Sequence, residues 1–221
     1  MNRMSEWFDR PVALDLFCGA GGASRGLQQA GFRVIGVDIK PQPRYAGDAF
    51  EQADALAYRI EGFDFVWASP PCQRYSLGSL RWDPTVWPDH IPEVRRILHR
   101  TGIPYVIENV PRAPLRSDLT LCGTMFGLRV VRHRRFESNV PLNQPPHRCA
   151  PRGSTKRKEY VTVAGHGGYG SNALSEWRDA MQIEWMNKKE LAEAVPPAYA
   201  EYIGKQIIRA IGYTIGSHRF G

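Results

Sequence analysis

Residues 12–22 have the sequence VALDLFCGAGG, an apolar run that carries one acid, Asp15, and ends in a glycine-rich turn. Residues 23–30 then show helical spacing, and Gly31 ends that helix. Glycines directly after a strand let the backbone turn tightly and approach a ligand at the carboxyl edge of a sheet. The stretch therefore predicts the first strand, loop and helix of an α/β fold, with a loop that can approach a ligand.

The first half of the chain repeats this alternation of apolar runs and helical patterns. Strands separated by helices imply parallel βαβ units, and strands covered on both faces are nearly continuous apolar runs. The pattern predicts a doubly wound, mostly parallel α/β sheet. The further strands expected are 33–38, 63–68, 104–108 and 159–164, and the further helices are 91–101, 172–182 and 197–211.

The second half changes character after Phe136. Residues 139–158 are rich in Pro, Asn, Gln and Arg and show no period, which is typical of an irregular insertion. We expect three regions. They are an α/β core that carries the cofactor and the chemistry (1–136), a small basic target-recognition insertion (137–171) and C-terminal helices that complete the core (172–221).

Basic residues are concentrated in one segment of the 221-residue chain. From Arg129 to Lys158 there are nine Lys or Arg and one acid, a net charge of +8, whereas the rest, with 20 basic and 21 acidic residues, carries −1. A local basic segment indicates a polyanion partner, most simply nucleic acid. The alternative is a solvated loop that keeps the protein soluble.

Composition excludes several other classes of protein. With 43% hydrophobic and 23% charged residues, the chain is neither disordered nor a coiled coil. No apolar run approaches the ~18 residues that span a bilayer, and residues 1–10 contain no secretory signal, so we expect no membrane association. The four cysteines lack paired spacing, which fits reduced thiols in a cytoplasm. His147 and Cys149 have no second pair at ligand spacing, so we expect no metal.

Acids and one cysteine follow the predicted strands. Asp38 ends the second apolar run, where an acid binds both hydroxyls of a ribose, and Asp54 follows a short segment later. The loop has the form GxGG rather than GxGxxG, so it leaves both NAD and S-adenosylmethionine open. Cys72 lies between Pro71 and Gln73 on a proline-stiffened turn, which favours a nucleophile over a structural thiol. Glu108 ends the next strand and either faces that cysteine or serves as a cap or ion-pair partner.

Taken together, the motifs resemble the cytosine-C5 DNA methyltransferase family, in family order and over most of the chain. A further stretch, LCGTMFG at 121–127, is similar to small members found in phages and prophages. We therefore expect a cytoplasmic protein of a bacterial host, encoded by the host or by a phage or prophage. The matching motifs are DLFCGAGG (15–22), PPCQ (70–73) followed by Ser76, ENV (108–110), VVRHR (130–134) in place of QxRxR, and AEAVPP (192–197) in place of GNAVPP.

The resemblance implies S-adenosylmethionine as the methyl donor. Asp38 is expected to bind its ribose, Asp54 its adenine amino group and Phe17 the face of its adenine ring. The cofactor-binding residues that the resemblance implies are Asp15, Phe17, Gly19, Gly21, Asp38, Ile39, Asp54, Ala55, Pro70, Glu193 and Ala194.

The resemblance also implies a covalent mechanism on a cytosine that has left the double helix. The Cys72 thiolate is expected to add to C6, while Glu108 hydrogen-bonds N3 and the exocyclic amine. Arg132 and Arg134 are expected to bind the O2 side and the adjacent phosphate. Residues 74–92, which contain two tryptophans, are a candidate lid. The base that removes the C5 proton is not identified, and water is one possibility.

Double-stranded DNA is the expected partner, bound by a monomer. Only a short interval separates the arginine motif from the last motif, and basic residues on phosphates give affinity without sequence information. We therefore expect short or relaxed sequence specificity. The DNA-binding residues expected are Gln73, Ser76, Arg135, Arg148, Arg152, Lys156, Arg157 and Lys158.

Two departures from the family pattern are present. Val130 replaces the first polar residue of QxRxR, and Glu193 replaces an Asn beside the methionine end of the cofactor, which leaves a modified donor open. The alternatives are the same chemistry on RNA or on a free cytosine nucleotide, or a non-catalytic DNA- or cofactor-binding module. The basic segment argues against a free nucleotide, and the cysteine, glutamate and arginines together argue against the module. A PPC rather than DPPY strand end disfavours methylation of an amino group.

Overall fold

The computed structural model describes residues 9–76, 83–116, 119–151, 159–164 and 173–213. Within these ranges the strands form one seven-stranded sheet in the order β3-β2-β1-β4-β5-β7-β6. The strands are β1 (Val12–Leu16), β2 (Arg33–Asp38), β3 (Ala49–Gln52), β4 (Phe65–Ala68), β5 (Tyr105–Asn109), β6 (Leu119–Leu121) and β7 (Arg134–Ser138).

Helices cover the sheet. None of those in the described ranges is both long and apolar enough to cross a membrane. The α-helices are α1 (Gly22–Ala30), α2 (Ile91–Thr101), α3 (Leu174–Met181), α4 (Lys188–Glu193) and α5 (Pro197–Ala210), and 3₁₀ turns occupy Gln73–Tyr75, Pro84–Val86 and Gly123–Phe126.

Strand direction brings the predicted functional motifs to one edge of the sheet. β3, β2, β1, β4 and β5 are parallel, whereas β7 runs antiparallel between β5 and β6. Leu16 at the end of β1 lies in register with Val37 of β2 and with Ala68 of β4. The carboxyl ends of these strands therefore meet where ligands bind in doubly wound folds. The predicted doubly wound, mostly parallel α/β class is confirmed.

The local predictions differ in how closely they match the structure. The strand at 33–38 and the helix at 91–101 have the predicted bounds, whereas β3, β6, β7 and α4 were not predicted. The predicted strand at 159–164 is wrong. Val161 and Val163 are buried against the core, and the Val161 N–H donates to the Arg129 carbonyl. Alternate burial explains the strand-like pattern, and the described residues 159–164 form no strand.

The C-terminal helix packs directly on the first helix. A Cβ atom at Gly26 of α1 would lie 2.1 Å from the Pro197 carbonyl oxygen, so only glycine allows this approach. Next to it, a Cβ at Gly22 would lie 2.4 Å from the Val195 carbonyl oxygen. This contact holds the start of α5 against the glycine loop, and so places the chain's last motif beside its first. β7 continues across the boundary at 136/137 that the sequence predicted between core and insertion.

Candidate active site

A cleft of about 240 Å³ opens at the carboxyl ends of β1, β2, β4 and β5. Twelve of the predicted functional residues line it. They are Asp15, Phe17, Gly19, Asp38, Ile39, Pro70, Cys72, Gln73, Glu108, Arg134, Glu193 and Ala194. We call the part formed by Asp15, Phe17, Gly19, Asp38 and Ile39 the glycine-loop end, and the part formed by Cys72, Glu108 and Arg134 the nucleophile end.

Backbone contacts shape the glycine-loop end. The loop turns through left-handed conformations at Phe17, with φ of 60°, and at Gly21, with φ of 82°. Gly19 N–H donates to one oxygen of the Asp38 carboxylate at 3.0 Å, and Lys40 N–H donates to the other at 3.0 Å. The Asp38 carboxylate is thus fixed in position beside the cleft.

Apolar surface lies beside that carboxylate. Ile39 is 64% exposed although it is a large aliphatic residue, and it lines the cleft. The Phe17 ring lines the same cleft and stacks on His90 with centroids 6.2 Å apart. An exposed aliphatic side chain and an aromatic ring flanking a carboxylate suit a ligand with one flat apolar part and adjacent hydroxyls.

A buried carboxyl group, that of Asp15, lies at the same end. Its Oδ2 accepts a hydrogen bond from the Ser24 hydroxyl, while Oδ1 has no hydrogen-bond partner. The pKa of Asp15 is raised to about 7, chiefly by burial and in smaller part by the nearby Asp38 charge, while the hydrogen bonds from Ser24 lower it. An unpartnered carboxylate oxygen in a cleft favours a ligand that carries positive charge.

The nucleophile end begins where β4 ends. Cys72 follows two prolines and precedes the 3₁₀ turn Gln73–Tyr75, which holds the thiol half-buried at the cleft wall. Asn109 Nδ2 donates to the Pro70 carbonyl at 2.9 Å and so ties the ends of β4 and β5 together. This contact brings Cys72 near Glu108, the residue before that asparagine.

A buried ion pair stands opposite the thiol. Nε of Arg134 lies 2.9 Å from Oε1 of Glu108, and both side chains are largely buried. Burial raises the pKa of Glu108, and Arg134 offsets part of that rise. Burial likewise raises the pKa of Cys72, Arg134 lowers it and Glu108 raises it. The resting cysteine is therefore a thiol whose deprotonation depends on the balance between its two charged neighbours.

Arg132 does not line the cleft. Its guanidinium is buried and donates to the carbonyls of Val163 at 2.9 Å and Ala192 at 2.6 Å. Burial lowers the pKa of Arg132 to about 9. Val130, at the first position of the motif, belongs to the hydrophobic core. The arginine motif therefore sends one guanidinium into the cleft and uses the other to hold loops together.

The far wall of the cleft comes from α4, which the sequence analysis missed. Glu193, its last residue, is exposed at the cleft. Glu190 forms a two-pronged ion pair with Arg44, with nitrogen–oxygen distances of 2.8 to 3.1 Å. Asn187 and Glu190 form a capping box at the start of the helix. The Asn-x-x-Glu spacing at 187–190 is a sequence signal that predicts this helix start.

Three of the predicted cofactor residues, Asp54, Ala55 and Gly21, lie outside the cleft lining. Asp54 is exposed and accepts a hydrogen bond from the Leu56 N–H, and Ala55 is buried in the core. Gly21 turns the loop without lining the cleft.

The predicted DNA-binding residues occupy varied surroundings. Ser76 Oγ donates to the Gln73 carbonyl at 3.2 Å. Arg135 donates to three carbonyl groups of residues 111–115, and Arg148 is exposed. In the predicted lid, Trp87 is 44% exposed and its carbonyl accepts from Arg74. Arg152, Lys156, Arg157 and Lys158 lie outside the described residues.

Sequence relatives are bacterial modification enzymes. The chain is 29% identical over 151 residues to the type II methyltransferase M.XorII of Xanthomonas oryzae pv. oryzae, and 26% identical over 152 residues to M.AplI of Arthrospira platensis. These alignments cover 59% and 57% of this chain but only 32% and 44% of the relatives, so the chain spans less than half of their length. No protein-family model matches the chain.

Solved structures match over nearly the whole chain. The S. pombe Dnmt2 methyltransferase has a TM-score of 0.62 at 12% identity, covering 92% of this chain and 100% of that one. The Entamoeba histolytica methyltransferase EhMeth has a TM-score of 0.59 at 10% identity, covering 91% and 99%. The fold is that of a methyltransferase. Together with the bacterial relatives, this confirms the predicted resemblance to the cytosine-C5 methyltransferase family.

Proposed function

We propose that this methyltransferase-fold protein transfers a methyl group from S-adenosylmethionine to C5 of cytosine in DNA. One observation carries the proposal. Cys72, Glu108 and Arg134 meet at one end of a cleft whose other end has the groups that a charged nucleoside needs. A thiol beside a carboxyl group and a guanidinium is suited to attack a ring that must gain negative charge.

The glycine-loop end fits S-adenosylmethionine. When bound, this cofactor supplies an electrophilic methyl group on a positively charged sulfur. Asp38 is oriented to accept hydrogen bonds from ribose hydroxyls, and Phe17 and Ile39 offer apolar surface to the adenine. The unpartnered oxygen of Asp15 is a site for positive charge. Glu193 at the opposite wall suits the ammonium group of the methionine portion.

The chain's own residues then activate the cytosine. The Cys72 thiol first loses its proton to water. Its Sγ then forms a bond to C6, and the electron pair of the C5–C6 double bond moves onto C5. Glu108 hydrogen-bonds the N3 side and the exocyclic amine, where negative charge builds as the thiolate adds. Arg134 is assigned to stabilise the thiolate and to bind the O2 side of the ring. Its ion pair with Glu108 and its lowering of the Cys72 pKa support this assignment.

Release reverses the addition. After C5 has accepted the methyl group, C5 loses its proton to a base, the double bond re-forms and Cys72 leaves C6 with the S–C electron pair. This chemistry requires a cytosine turned out of the duplex. Trp87, which is 44% exposed, belongs to the segment proposed to close over that base.

The basic segment between Arg129 and Lys158 is proposed to hold the DNA backbone. Its net charge of +8 favours phosphate contacts, and these give affinity without reading bases. We propose short or relaxed sequence specificity, action as a monomer, a bacterial cytoplasmic location and the three-region organisation stated above.

A covalent trap tests the proposal. A duplex oligonucleotide carrying 5-fluorocytosine should form an adduct with the wild type in the presence of S-adenosylmethionine, because fluorine cannot leave as a proton does. Cys72→Ser should form none. Cys18→Ala is the matched control, since Cys18 also lines the cleft but is buried beside the loop. An adduct that survives Cys72→Ser would refute the assignment of the nucleophile.

Nucleoside mass spectrometry tests the substrate and the product. Incubation with unmethylated DNA should yield 5-methyldeoxycytidine. A product on RNA or on cytidine nucleotides alone would replace DNA as the substrate. Cofactor binding without any product on these substrates would favour the non-catalytic module.

A further inference from the structure

Three metal-ligating side chains converge away from the cleft. Cys122 directly follows β6, His133 directly precedes β7, and Cys149 lies in the irregular segment 139–151. Their ligating atoms all lie within 4.8 Å of one another. His133 Nε2 lies 3.2 Å from the Cys149 sulfur. Among the described residues, no fourth His, Cys, Asp or Glu joins this cluster.

We propose that Cys122, His133 and Cys149 bind a zinc ion, with water in the fourth position. Zinc prefers thiolate and imidazole ligands in a tetrahedron. Bonds of about 2.3 Å to sulfur and about 2.0 Å to nitrogen put neighbouring ligand atoms about 3.5 to 3.8 Å apart. The His133–Cys149 distance of 3.2 Å and the 4.8 Å limit on all three atoms bracket that spacing. On binding, each thiol loses its proton to solvent, and two thiolates balance the charge of the ion.

The surroundings suit a metal better than a simple pair of thiols. The Thr124 hydroxyl lies 3.5 Å from the Cys122 sulfur and 3.6 Å from the Cys149 sulfur, so it can donate to a thiolate. Cys122 is fully buried, whereas His133 and Cys149 are half-buried, which leaves one side of the cluster open to water. A disulfide between the two cysteines would leave the imidazole without a role.

The positions of the three ligands in the fold indicate the structural role of the ion. Cys122 and His133 lie at the same end of the paired strands β6 and β7, and Cys149 lies in the segment that follows β7. The ion would therefore fasten that segment to the end of these two strands. His133 also lies between Arg132 and Arg134, and the ion would fix the backbone from which both guanidiniums extend. The sequence analysis expected no metal because His147 and Cys149 have no second pair at ligand spacing. Here the fold supplies the proximity.

Metal content tests the site independently of methyl transfer. Protein purified under reducing conditions without chelator should contain about one zinc per chain by plasma mass spectrometry. Replacing zinc with Co²⁺ should give the intense near-ultraviolet absorption of cobalt–thiolate bonds. Cys122→Ser and Cys149→Ser should lose most of the metal. His147→Ala is the control, because this exposed histidine lies two residues from Cys149 but outside the cluster.

A second variant guards against simple misfolding. His133→Cys should retain zinc, and its cobalt form should show the added near-ultraviolet absorption of a third cobalt–thiolate bond. His133→Ala should bind zinc much more weakly. Wild type without zinc or a cobalt–thiolate spectrum would overturn the proposal, as would full zinc content in Cys149→Ser. The protein could instead have a mass lower by two hydrogen atoms, with Cys122 and Cys149 resisting alkylation until they are reduced. That result would show that the two cysteines form a disulfide and not a metal site.

Discussion

At the glycine-loop end of the cleft, backbone N–H groups hold the Asp38 carboxylate, whereas at the nucleophile end a guanidinium faces the Glu108 carboxylate. The first arrangement is made by residues close together in the chain and is nearly independent of side-chain charge. The second joins β4, β5 and β7 and balances burial against an ion pair. Ligand binding and chemistry should therefore respond separately to substitution.

The largest expected effect comes from comparing one variant at each end of the cleft, Glu108→Gln and Asp38→Asn, in both methyl-transfer rate and cofactor affinity. Glu108→Gln keeps the shape of the side chain but cannot take up a proton or carry the charge that pairs with Arg134, so methyl transfer should fall by about 100- to 1,000-fold. The Kd for S-adenosylmethionine should stay within about twofold. Asp38→Asn should instead raise that Kd by about tenfold, because one amide group cannot accept on both sides.

Single-turnover methylation and calorimetric titration measure the two quantities. Asp48→Asn is a control for Asp38→Asn, since Asp48 also accepts from a backbone N–H but lies outside the cleft lining. Equal losses of affinity and rate in both cleft variants would show that the two ends act as one unit.

The contrast between local contacts at the glycine-loop end and contacts between strands at the nucleophile end also explains which residues the sequence could predict. Asp38 was predicted because a strand, a glycine turn and the next strand are local patterns, and β1, α1 and β2 follow from them. The roles of Asp15 and Phe17 came from the family resemblance. Cys72 and Glu108 came from the strand ends and the family motifs. Their proximity depends on the order of strands in the sheet.

The missed parts are those that depend on distant contacts. The strand β7 carries Arg134 and Arg135, and its polar sequence gives no strand signal. Arg132 has a motif position that suggests the cleft, yet its guanidinium is turned toward carbonyls of Val163 and Ala192. Only the packed structure distinguishes these two arginines.

The two arginines should differ in stability. Arg132→Ala leaves two carbonyls without their donor and should lower the free energy of unfolding by about 3 kcal/mol. Arg134→Ala should lower it by about 1 kcal/mol, because Glu108 can take up a proton when its partner is lost. Urea denaturation measures both. A larger loss for Arg134→Ala would reverse the structural and chemical roles assigned to them.

The buried Asp15 carboxyl group makes the free energy of unfolding depend on pH. Its pKa is about 7 in the folded chain against about 4 when unfolded, so the folded state holds the proton more tightly. Stability from this group is complete below about pH 4 and is lost as pH rises through about 7. Asp15→Asn removes that loss, and its unfolding free energy relative to wild type should rise by about 1 to 3 kcal/mol between about pH 5 and about pH 8.

Denaturant titrations at both pH values measure this difference. Saturating S-adenosylmethionine should reduce the pH dependence of the wild type, because a cationic ligand stabilises the charged carboxylate. Parallel stability curves for Asp15→Asn and wild type would contradict an unpartnered acid at this end.

The smallest expected effect concerns the reactivity of Cys72. Because burial raises its pKa, alkylation by a neutral reagent should accelerate steadily from about pH 7 to about pH 10. Arg134 lowers that pKa, so Arg134→Ala should slow alkylation by about threefold to tenfold at a fixed pH, whereas Glu108→Gln should accelerate it to a similar extent. Arg134→Lys keeps the charge and should stay closer to wild type. Mass spectrometry of the Cys72 peptide measures the alkylation rates. If Arg134→Ala and Glu108→Gln change the rate in the same direction, the cause is reagent access to the thiol rather than charge.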